Sequence, residues 1–235
     1  MNAARQGFTL TELLVVIVAL AVLGVMLVPA LSKHRKGARD ACCLNHLQQM
    51  QRGWSLYSGD NADKIVRTGG MDQVVSTPSD PAGHPGGAKS QWVLGRVDNL
   101  PAATNSLLLQ TGLLYPYVNS LAVYKCPADK KQVNGQNTVR SMSMNAWMNP
   151  ITSWNQIKGY GGANALLEFR KQTSIRNAAQ TWVLIDENPN TINDGWFVSD
   201  PNVNYWPDTP ASYHNRAGGL SFADGHAEIK VWRDA

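Results

Sequence analysis

The stretch that decides the fold of this chain is residues 5–31, which read RQGFTLTELLVVIVALAVLGVMLVPAL. No charged residue occurs between Leu13 and Leu31, and Glu12 is the one ionisable group in residues 8–31. A helix rises about 1.5 Å per residue, so those 24 residues would extend roughly 36 Å, against about 30 Å for the hydrocarbon core of a bilayer. The stretch therefore predicts a transmembrane helix. It is longer than the apolar region of about 7 to 15 residues in a cleaved secretory signal peptide, so we expect it to remain in the product.

The composition is that of a folded protein of one or two domains, with 235 residues, of which 43% are hydrophobic and 16% charged. The chain has 21 Lys and Arg against 17 Asp and Glu, and much of the surplus lies at Lys33, Arg35, Lys36 and Arg39. So small and local a surplus indicates a solvated or lipid-facing helix surface and no nucleic-acid partner. Only Arg5 precedes the apolar stretch, so the positive-inside rule alone would place the rest of the chain in the cytoplasm.

The helix is expected to continue beyond the apolar stretch. Apolar residues recur there mostly at steps of three and four, namely at Ala38, Ala41, Cys42, Leu44, Leu47, Met50, Trp54, Leu56 and Tyr57. Such spacing predicts one apolar stripe that packs against a sheet. We therefore divide the chain into an apolar half-helix at 8–31, an amphipathic half-helix at 32–58, and a globular, β-rich head at 59–235.

The start of the apolar stretch resembles a known processing site. Residues 5–14, RQGFTLTELL, are similar to the N-terminal site of type IV prepilins and type II secretion pseudopilins. The resemblance implies that residues 1–7 are a leader, that a prepilin peptidase cuts after Gly7, and that Phe8 becomes the methylated N-terminus. It also implies that Glu12 pairs with the terminal amine of an adjacent subunit during assembly.

The same resemblance implies an α+β, pilin-like fold. In that fold a long N-terminal transmembrane helix packs on an antiparallel β-sheet head with loop-rich insertions. The implied location is the bacterial inner membrane, crossed once, with the head outside the cytoplasm. The implied partners are the peptidase, other pilin or pseudopilin subunits, and inner-membrane lipid. The implied role is structural, as a subunit of a type II secretion pseudopilus or a type IV pilus-like filament, without enzymatic activity.

The head has few strong local signals apart from its end. Residues 181–185 favour a buried strand and residues 105–117 a short helix. Near the end, Asp224-Gly225 is typical of a two-residue type I′ hairpin turn. That turn predicts that Leu220 pairs with Ile229 and that Ser221 lies on the opposite, polar face.

The end of the chain carries a second resemblance. His214, nine intervening residues and Asp224-Gly225 are similar to the H-X9-DG signature of a C-terminal domain that occurs together with prepilin-type N-termini. Positions in that family favour a disulfide between Cys43 and Cys126. Cys42 is then either a small buried residue or a free thiol, and in a reducing compartment all three cysteines are simply core residues.

Several candidate metal-binding and catalytic residues also fit structural roles. The cysteines are too few and too widely spaced for a zinc ribbon or finger. No cofactor is expected, with the possible exception of calcium, for which oxygen ligands gather at Asp186, Asn188, Asn190 and Asp194. The segment also fits an Asx-rich turn. For His214 we expect a structural role, with its ring bonded to the backbone near the Asp224 turn.

Two alternative functions remain open at this level. The first is a membrane-anchored binding module for glycans or adhesion targets, for which the candidate residues are Trp147, Trp154, Trp196 and Trp206. The second is an anchored enzyme, which needs a polar cleft joining His214, Asp224 and Asp186. A structure with packed tryptophans and without that cleft would count against both.

Overall fold

A computed structural model of the chain describes residues 9–69, 91–151, 168–199 and 204–233. Within helix α1 it describes the side chains of residues 10–25 and 37–60. By contacts the chain divides into two compact units, Met1–Arg39 and Asp40–Ala235. The predicted leader, with Gly7 and Phe8, lies outside the described residues, as does Trp154.

The predicted long N-terminal helix is confirmed as α1, Leu10–Asp60, with 51 residues. Its first part, in the unit Met1–Arg39, exposes apolar side chains such as Leu10, Val15 and Val25. Among the described residues, no helix combines the length and the apolar character needed to cross a membrane.

The part of α1 that belongs to the second unit buries one stripe, as predicted, but with different members. Cys43, Leu47, Met50 and Trp54 are fully buried. Their steps of four, three and four residues keep them on one side of the helix. Cys42 is half-buried, whereas Ala41 and Leu56 are exposed. The prediction was wrong for these residues because the apolar type of a side chain does not say which side of the helix meets the sheet.

The centre of the second unit is a five-stranded sheet with the strand order β5-β3-β4-β6-β7. Its strands are β3 (Met142–Asn145), β4 (Trp182–Asp186), β5 (Trp196–Phe197), β6 (Ala217–Phe222) and β7 (Ala227–Val231). The predicted strand at 181–185 is thus confirmed as β4. All neighbours are antiparallel except β3 and β5, which run parallel. The sheet is therefore mixed, where a purely antiparallel one was expected.

Smaller elements lie outside this sheet. Strands β1 (Gln132–Val133) and β2 (Gln136–Asn137) form a separate two-stranded hairpin. The helix predicted at 105–117 is present as two short helices, α2 (Leu107–Gln110) and α3 (Tyr115–Val118). The chain turns between them at Gly112, where a side chain would collide with the carbonyl of Trp92, at 2.4 Å.

The two faces of the sheet bury different clusters. The face towards α1 contributes Met142, Met144 and Leu184 to the main core, together with the buried stripe of α1. The opposite face holds a smaller cluster of Ile185, Phe197, Leu220 and Phe222. Strand β6 is buried along its whole length, so polar groups on either of its faces need protein partners.

The predicted register of the terminal hairpin was wrong by one residue. Strands β6 and β7 pair Leu220 with Glu228 and Ser221 with Ala227. The reason is the loop, which has three residues: the N–H of Phe222 donates to the carbonyl of His226, and the N–H of Gly225 donates to Phe222. Gly225 takes the left-handed conformation with φ +103°, as a three-residue hairpin loop with a bulge requires.

Ser221, which was predicted to lie on the polar face, lies on the face of β6 towards α1, where its hydroxyl donates to Gln51 Oε1 at 2.9 Å. Gly219 lies on the same face, directly beneath α1. A Cβ at Gly219 would lie 2.5 Å from Leu47 Cδ1 and 2.8 Å from Asp186 Oδ2. The bare backbone of Gly219 therefore permits the close approach of α1 to the sheet.

Candidate functional site

The start of α1 positions the candidate assembly residue, Glu12. Thr9 precedes the helix, and its N–H and hydroxyl both donate to Glu12 Oε2, at 2.9 and 2.7 Å. In return the N–H of Glu12 donates to Thr9 Oγ1 at 3.3 Å. This is a capping box, in which a Thr and a Glu three residues later close a helix N-terminus. The Thr-x-x-Glu spacing is visible in the sequence, yet the capping role was missed there.

A second cluster lies deep in the unit Asp40–Ala235 and unites four side chains from distant segments. Cys43 comes from α1, Cys126 from the loop after a short 3-10 helix, Asp186 from the end of β4, and His214 from the turn before β6. All four are buried, and one potential ligand atom from each lies within 4.8 Å of the others. We call this group the Cys-His-Asp tetrad. Within the described ranges it is the one group of three or more such residues close enough to hold a metal ion.

The contacts inside the tetrad are short and specific. Cys43 Sγ donates to Asp186 Oδ2 at 3.1 Å, and the same oxygen accepts the backbone N–H of Gly219 at 3.1 Å. His214 Nε2 lies 3.3 Å from Cys126 Sγ and 3.8 Å from Asp186 Oδ2. The other oxygen of Asp186, Oδ1, is buried and has no hydrogen-bond partner.

Asp40, which is not a member of the tetrad, orients the ring of His214. Its Nδ1 lies 2.6 Å from Asp40 Oδ1. Because a carboxylate only accepts hydrogen bonds, Nδ1 donates here, and in the neutral ring the lone pair of Nε2 then points at Cys126 and Asp186. Sulfur Sγ of Cys126 also accepts the N–H of Ala128 at 3.4 Å.

The tetrad shifts the acid–base properties of its members. The pKa of Cys43 is raised by its hydrogen bond to Cys126, by burial and by the Asp186 carboxylate. The pKa of Cys126 is lowered, chiefly by its contact with Cys43 and also by its contact with His214. Burial lowers the pKa of His214, but hydrogen bonds to Asp186, Cys126 and Asp40 outweigh it and raise the pKa to about 10. Perturbed pKa values in a buried cluster are a feature of many functional sites.

The structure does not test the prediction of a disulfide between Cys43 and Cys126. Cys43 and Cys126 are neighbours, as the family resemblance implied, but both are free thiols. Cys42 is also free and lies 3.5 Å from His46 Nε2. Whether the pair oxidises in the native compartment stays a prediction.

The expected environment of His214 was wrong. Its ring contacts Asp40, Cys126 and Asp186, where backbone near Asp224 was expected. Asp224 sits in the exposed hairpin loop, where its carboxylate binds His226 Nδ1 at 2.6 Å. The sequence spacing of His214 and Asp224 therefore does not reflect a shared site; the first anchors the tetrad and the second shapes the turn.

Three of the four predicted calcium ligands have a side-chain oxygen with a protein partner. Asp186 belongs to the tetrad, Asn188 Oδ1 accepts the N–H of Asn190 at 2.9 Å, and Asp194 Oδ1 accepts the N–H of Trp196 at 2.8 Å. The positive charge that acts on Asp194 comes mainly from Arg140. Calcium binding by this set stays a prediction.

Sequence reasoning missed a buried charge network around Arg140, and no local pattern indicates it. The Arg140 side chain is fully buried and donates to the carbonyls of Met142 and Asp194, each at 2.6 Å, and to Ser143 Oγ at 3.1 Å. Burial lowers the pKa of Arg140 to about 10. Burial likewise raises the pKa of Glu187 well above its usual value, that of Asp194 to about 7, and that of Asp208 to about 6.

The raised pKa of Asp194 makes stability depend on pH. Between the ordinary value of 3.8 and about 7, the folded chain holds a proton on Asp194 that the unfolded chain has released. Stability therefore falls as pH rises through this range and is constant above it. The substitution Asp194→Asn keeps an acceptor for the N–H of Trp196. It should reduce the pH-dependent fall in the free energy of unfolding by up to about 4 kcal/mol. The measurement is denaturant unfolding of the full chain in detergent from pH 4 to pH 8.

The control for this prediction is Asp60→Asn, which changes an exposed aspartate at the end of α1. It should leave the shape of the pH profile unchanged. Parallel profiles for the wild type and Asp194→Asn would contradict the prediction.

The residues of the two alternative functions are dispersed. Among the described tryptophans only Trp206 is exposed, at 64%, while Trp196 is buried and Trp147 is half-buried. Two exposed tryptophans on one face, which the glycan-binding alternative needs, are therefore not observed in the described residues. For the enzyme alternative, His214 and Asp186 are buried and Asp224 is exposed, so these residues line no common cleft.

Comparison with known proteins bears on the N-terminal stretch. Residues 2–28 match the family described as a prokaryotic N-terminal methylation motif. Over 75 residues, 32% of this chain, the sequence is 33% identical to the type II secretion system core protein G of Klebsiella pneumoniae. Together these findings support a pseudopilin-like protein.

The similarity has a limited extent. The matched residues cover 54% of the Klebsiella protein, so the chain spans about half the length of that relative. No solved structure matches the chain significantly. The motif at residues 2–28 includes Gly7, Phe8 and Glu12, the three residues predicted to act in processing and assembly.

Proposed function

We propose that this protein is a structural pseudopilin. In this proposal a prepilin peptidase cuts it after Gly7, Phe8 is methylated, and the mature chain is anchored in the bacterial inner membrane by residues 8–31. The chain then assembles with other subunits into a type II secretion pseudopilus or a type IV pilus-like filament. The observation on which the proposal rests is the N-terminal methylation motif at residues 2–28, which includes Glu12.

The geometry at the start of α1 supports the role of Glu12. Its carboxylate lies in the first turn of the helix and is fixed by Thr9. A charged group at this depth of an apolar segment is costly unless it meets an opposite charge. The new terminal amine of a neighbouring Phe8 would supply that charge, and such a pair would define the axial register between subunits. Apolar contacts between the exposed side chains of residues 10–25 would then hold the helices together.

In the same proposal the head is a structural module without catalytic activity. Its helix-facing core and its tetrad hold the last part of α1 to the sheet. The residues suggested for hydrolase-like chemistry, His214 and Asp224, have separate structural partners. The polar residues singled out from the sequence are thus explained by packing and turn geometry.

The proposal is tested by mass analysis of the N-terminus in the native host. Protein from membranes and protein from sheared surface filaments should both begin at a methylated Phe8. The control is a Gly7→Leu variant, which should keep its leader and be absent from the sheared fraction. A native product that still carries residues 1–7 would contradict processing. A processed chain that never enters filaments would contradict assembly.

A further inference from the structure

We propose that Cys43, Cys126, Asp186 and His214 form a structural zinc site inside the head. The proposal goes beyond the pseudopilin function, because it concerns how the head is held together and does not depend on filament assembly. It rests on the convergence of four ligand types from four separated segments.

The distances fit one tetrahedral ion. Zinc binds sulfur at about 2.3 Å and nitrogen or oxygen at about 2.0–2.2 Å, so the edges of a tetrahedron around it are roughly 3.3–3.8 Å. The observed edges are 3.1 Å from Cys43 Sγ to Asp186 Oδ2, 3.3 Å from His214 Nε2 to Cys126 Sγ, and 3.8 Å from His214 Nε2 to Asp186 Oδ2. The other pairs of ligand atoms lie within 4.8 Å of one another, so shifts of up to about 1 Å would bring all four onto one ion.

The ligand chemistry favours zinc over the hard cations. Two thiolates and an imidazole suit a borderline-soft ion, whereas calcium and magnesium prefer oxygen ligands alone. All four side chains are buried, and four protein ligands fill a tetrahedral shell. Such a closed site is structural, since a catalytic zinc keeps one position open for water or substrate.

The surroundings of the tetrad match the outer shell of a metal site. Asp40 accepts from His214 Nδ1 at 2.6 Å, which leaves Nε2 free to bind the ion. The backbone N–H groups of Gly219 and Ala128 donate to Asp186 Oδ2 and Cys126 Sγ. Such donors stabilise the negative charge of bound ligands.

A disulfide between Cys43 and Cys126 is the competing interpretation of the same pair. It would use only the two sulfurs and would not account for the convergence of Asp186 and the orientation of His214 by Asp40. Zinc accounts for all of these features. It would also connect α1 to the Cys126 loop, to β4 and to the turn before β6, so that one ion ties the helix to three parts of the head.

The test uses the full chain, purified in detergent from native membranes without chelators or reductants. We expect one zinc per chain by elemental mass spectrometry. X-ray absorption should show two sulfur ligands at about 2.3 Å and two nitrogen or oxygen ligands at about 2.0 Å. The variants Cys43→Ser and Cys126→Ser should lose at least nine-tenths of the zinc. The matched control is Cys42→Ser, which changes the adjacent cysteine outside the tetrad and should keep the full zinc content.

A second measurement covers the case in which the tetrad variants fail to fold. Wild-type chain stripped of metal and titrated with Co²⁺ should develop thiolate-to-cobalt absorption that saturates at one ion per chain, and Zn²⁺ should displace it. A Cys43–Cys126 disulfide in the native chain would overturn the proposal. So would a reduced chain that takes up no cobalt, or zinc that is lost equally from the Cys42→Ser control.

Discussion

Replacing Glu12 by Ala should lower the yield of sheared filaments roughly tenfold or more, while leaving cleavage after Gly7 unchanged. The substitution removes the carboxylate proposed to meet the Phe8 amine of the next subunit. A charge pair shielded from water is worth well over 1.4 kcal/mol, the energy of a tenfold change in an equilibrium constant. Loss of the capping box costs only about 1 kcal/mol within one chain. The measurement is the fraction of total protein recovered in the sheared filaments by quantitative immunoblotting.

Two further variants separate the charge of Glu12 from its capping role. Glu12→Gln keeps a side chain that caps the helix with Thr9 but removes the charge, so it should assemble nearly as poorly as Glu12→Ala. Thr9→Ala removes the contacts of Thr9 Oγ1 with Glu12 and keeps the charge, so it should assemble nearly normally. Normal filament yield for Glu12→Gln would show that Glu12 serves only as a helix cap.

The substitution Arg140→Met should destabilise the chain by about 3–5 kcal/mol, because it removes one partner of a buried charge network. The guanidinium satisfies the carbonyls of Met142 and Asp194 and lies 5.8 Å from the Trp92 ring centre. It also lowers the pKa values of Glu187 and Asp194, which burial raises. Without the guanidinium, the carbonyls of Met142 and Asp194 lose their donor. The carboxyl groups of Glu187 and Asp194 must then stay protonated. The measurement is denaturant unfolding of the full chain in detergent at neutral pH.

A double substitution tests whether the cost lies in the network or in packing. Adding Glu187→Gln to Arg140→Met should recover part of the loss, because the buried side chain at position 187 can then no longer ionise. Arg52→Met, which changes an exposed arginine of α1, should change stability by less than about 0.5 kcal/mol. Equal unfolding free energies for Arg140→Met and Arg52→Met would contradict the prediction.

Local patterns predicted the elements of this fold better than they predicted which residues meet. The continuity of α1, the strand β4 and the terminal hairpin each follow from the composition or periodicity of a few neighbouring residues. The hairpin register did not, because Asp224-Gly225 suits both a two-residue and a three-residue loop. In the structure the N–H of Phe222 donates to the carbonyl of His226, which closes the three-residue loop. Every cross-strand pair is therefore shifted by one residue relative to the prediction.

The two candidate sites show the same difference between local patterns and long-range contacts. The N-terminal motif lies within one short segment, so its residues could be recognised together. The tetrad joins residues separated by up to 171 positions, from Cys43 to His214. The spacing of the cysteines even argued against a zinc ribbon or finger. A site assembled from single residues of distant segments leaves no pattern in the order of the chain.

By itself the amino-acid order indicated the N-terminal methylation motif, the long first helix and a head of helices and strands, because such motifs, helix periodicity and turn residues act between near neighbours. Only the tertiary structure decided that Cys43 faces the sheet, that Ser221 is buried and that the Arg140 side chain is fully buried. Each of these outcomes depends on contacts between segments that are far apart in the sequence. Such contacts follow from the packing of the whole head.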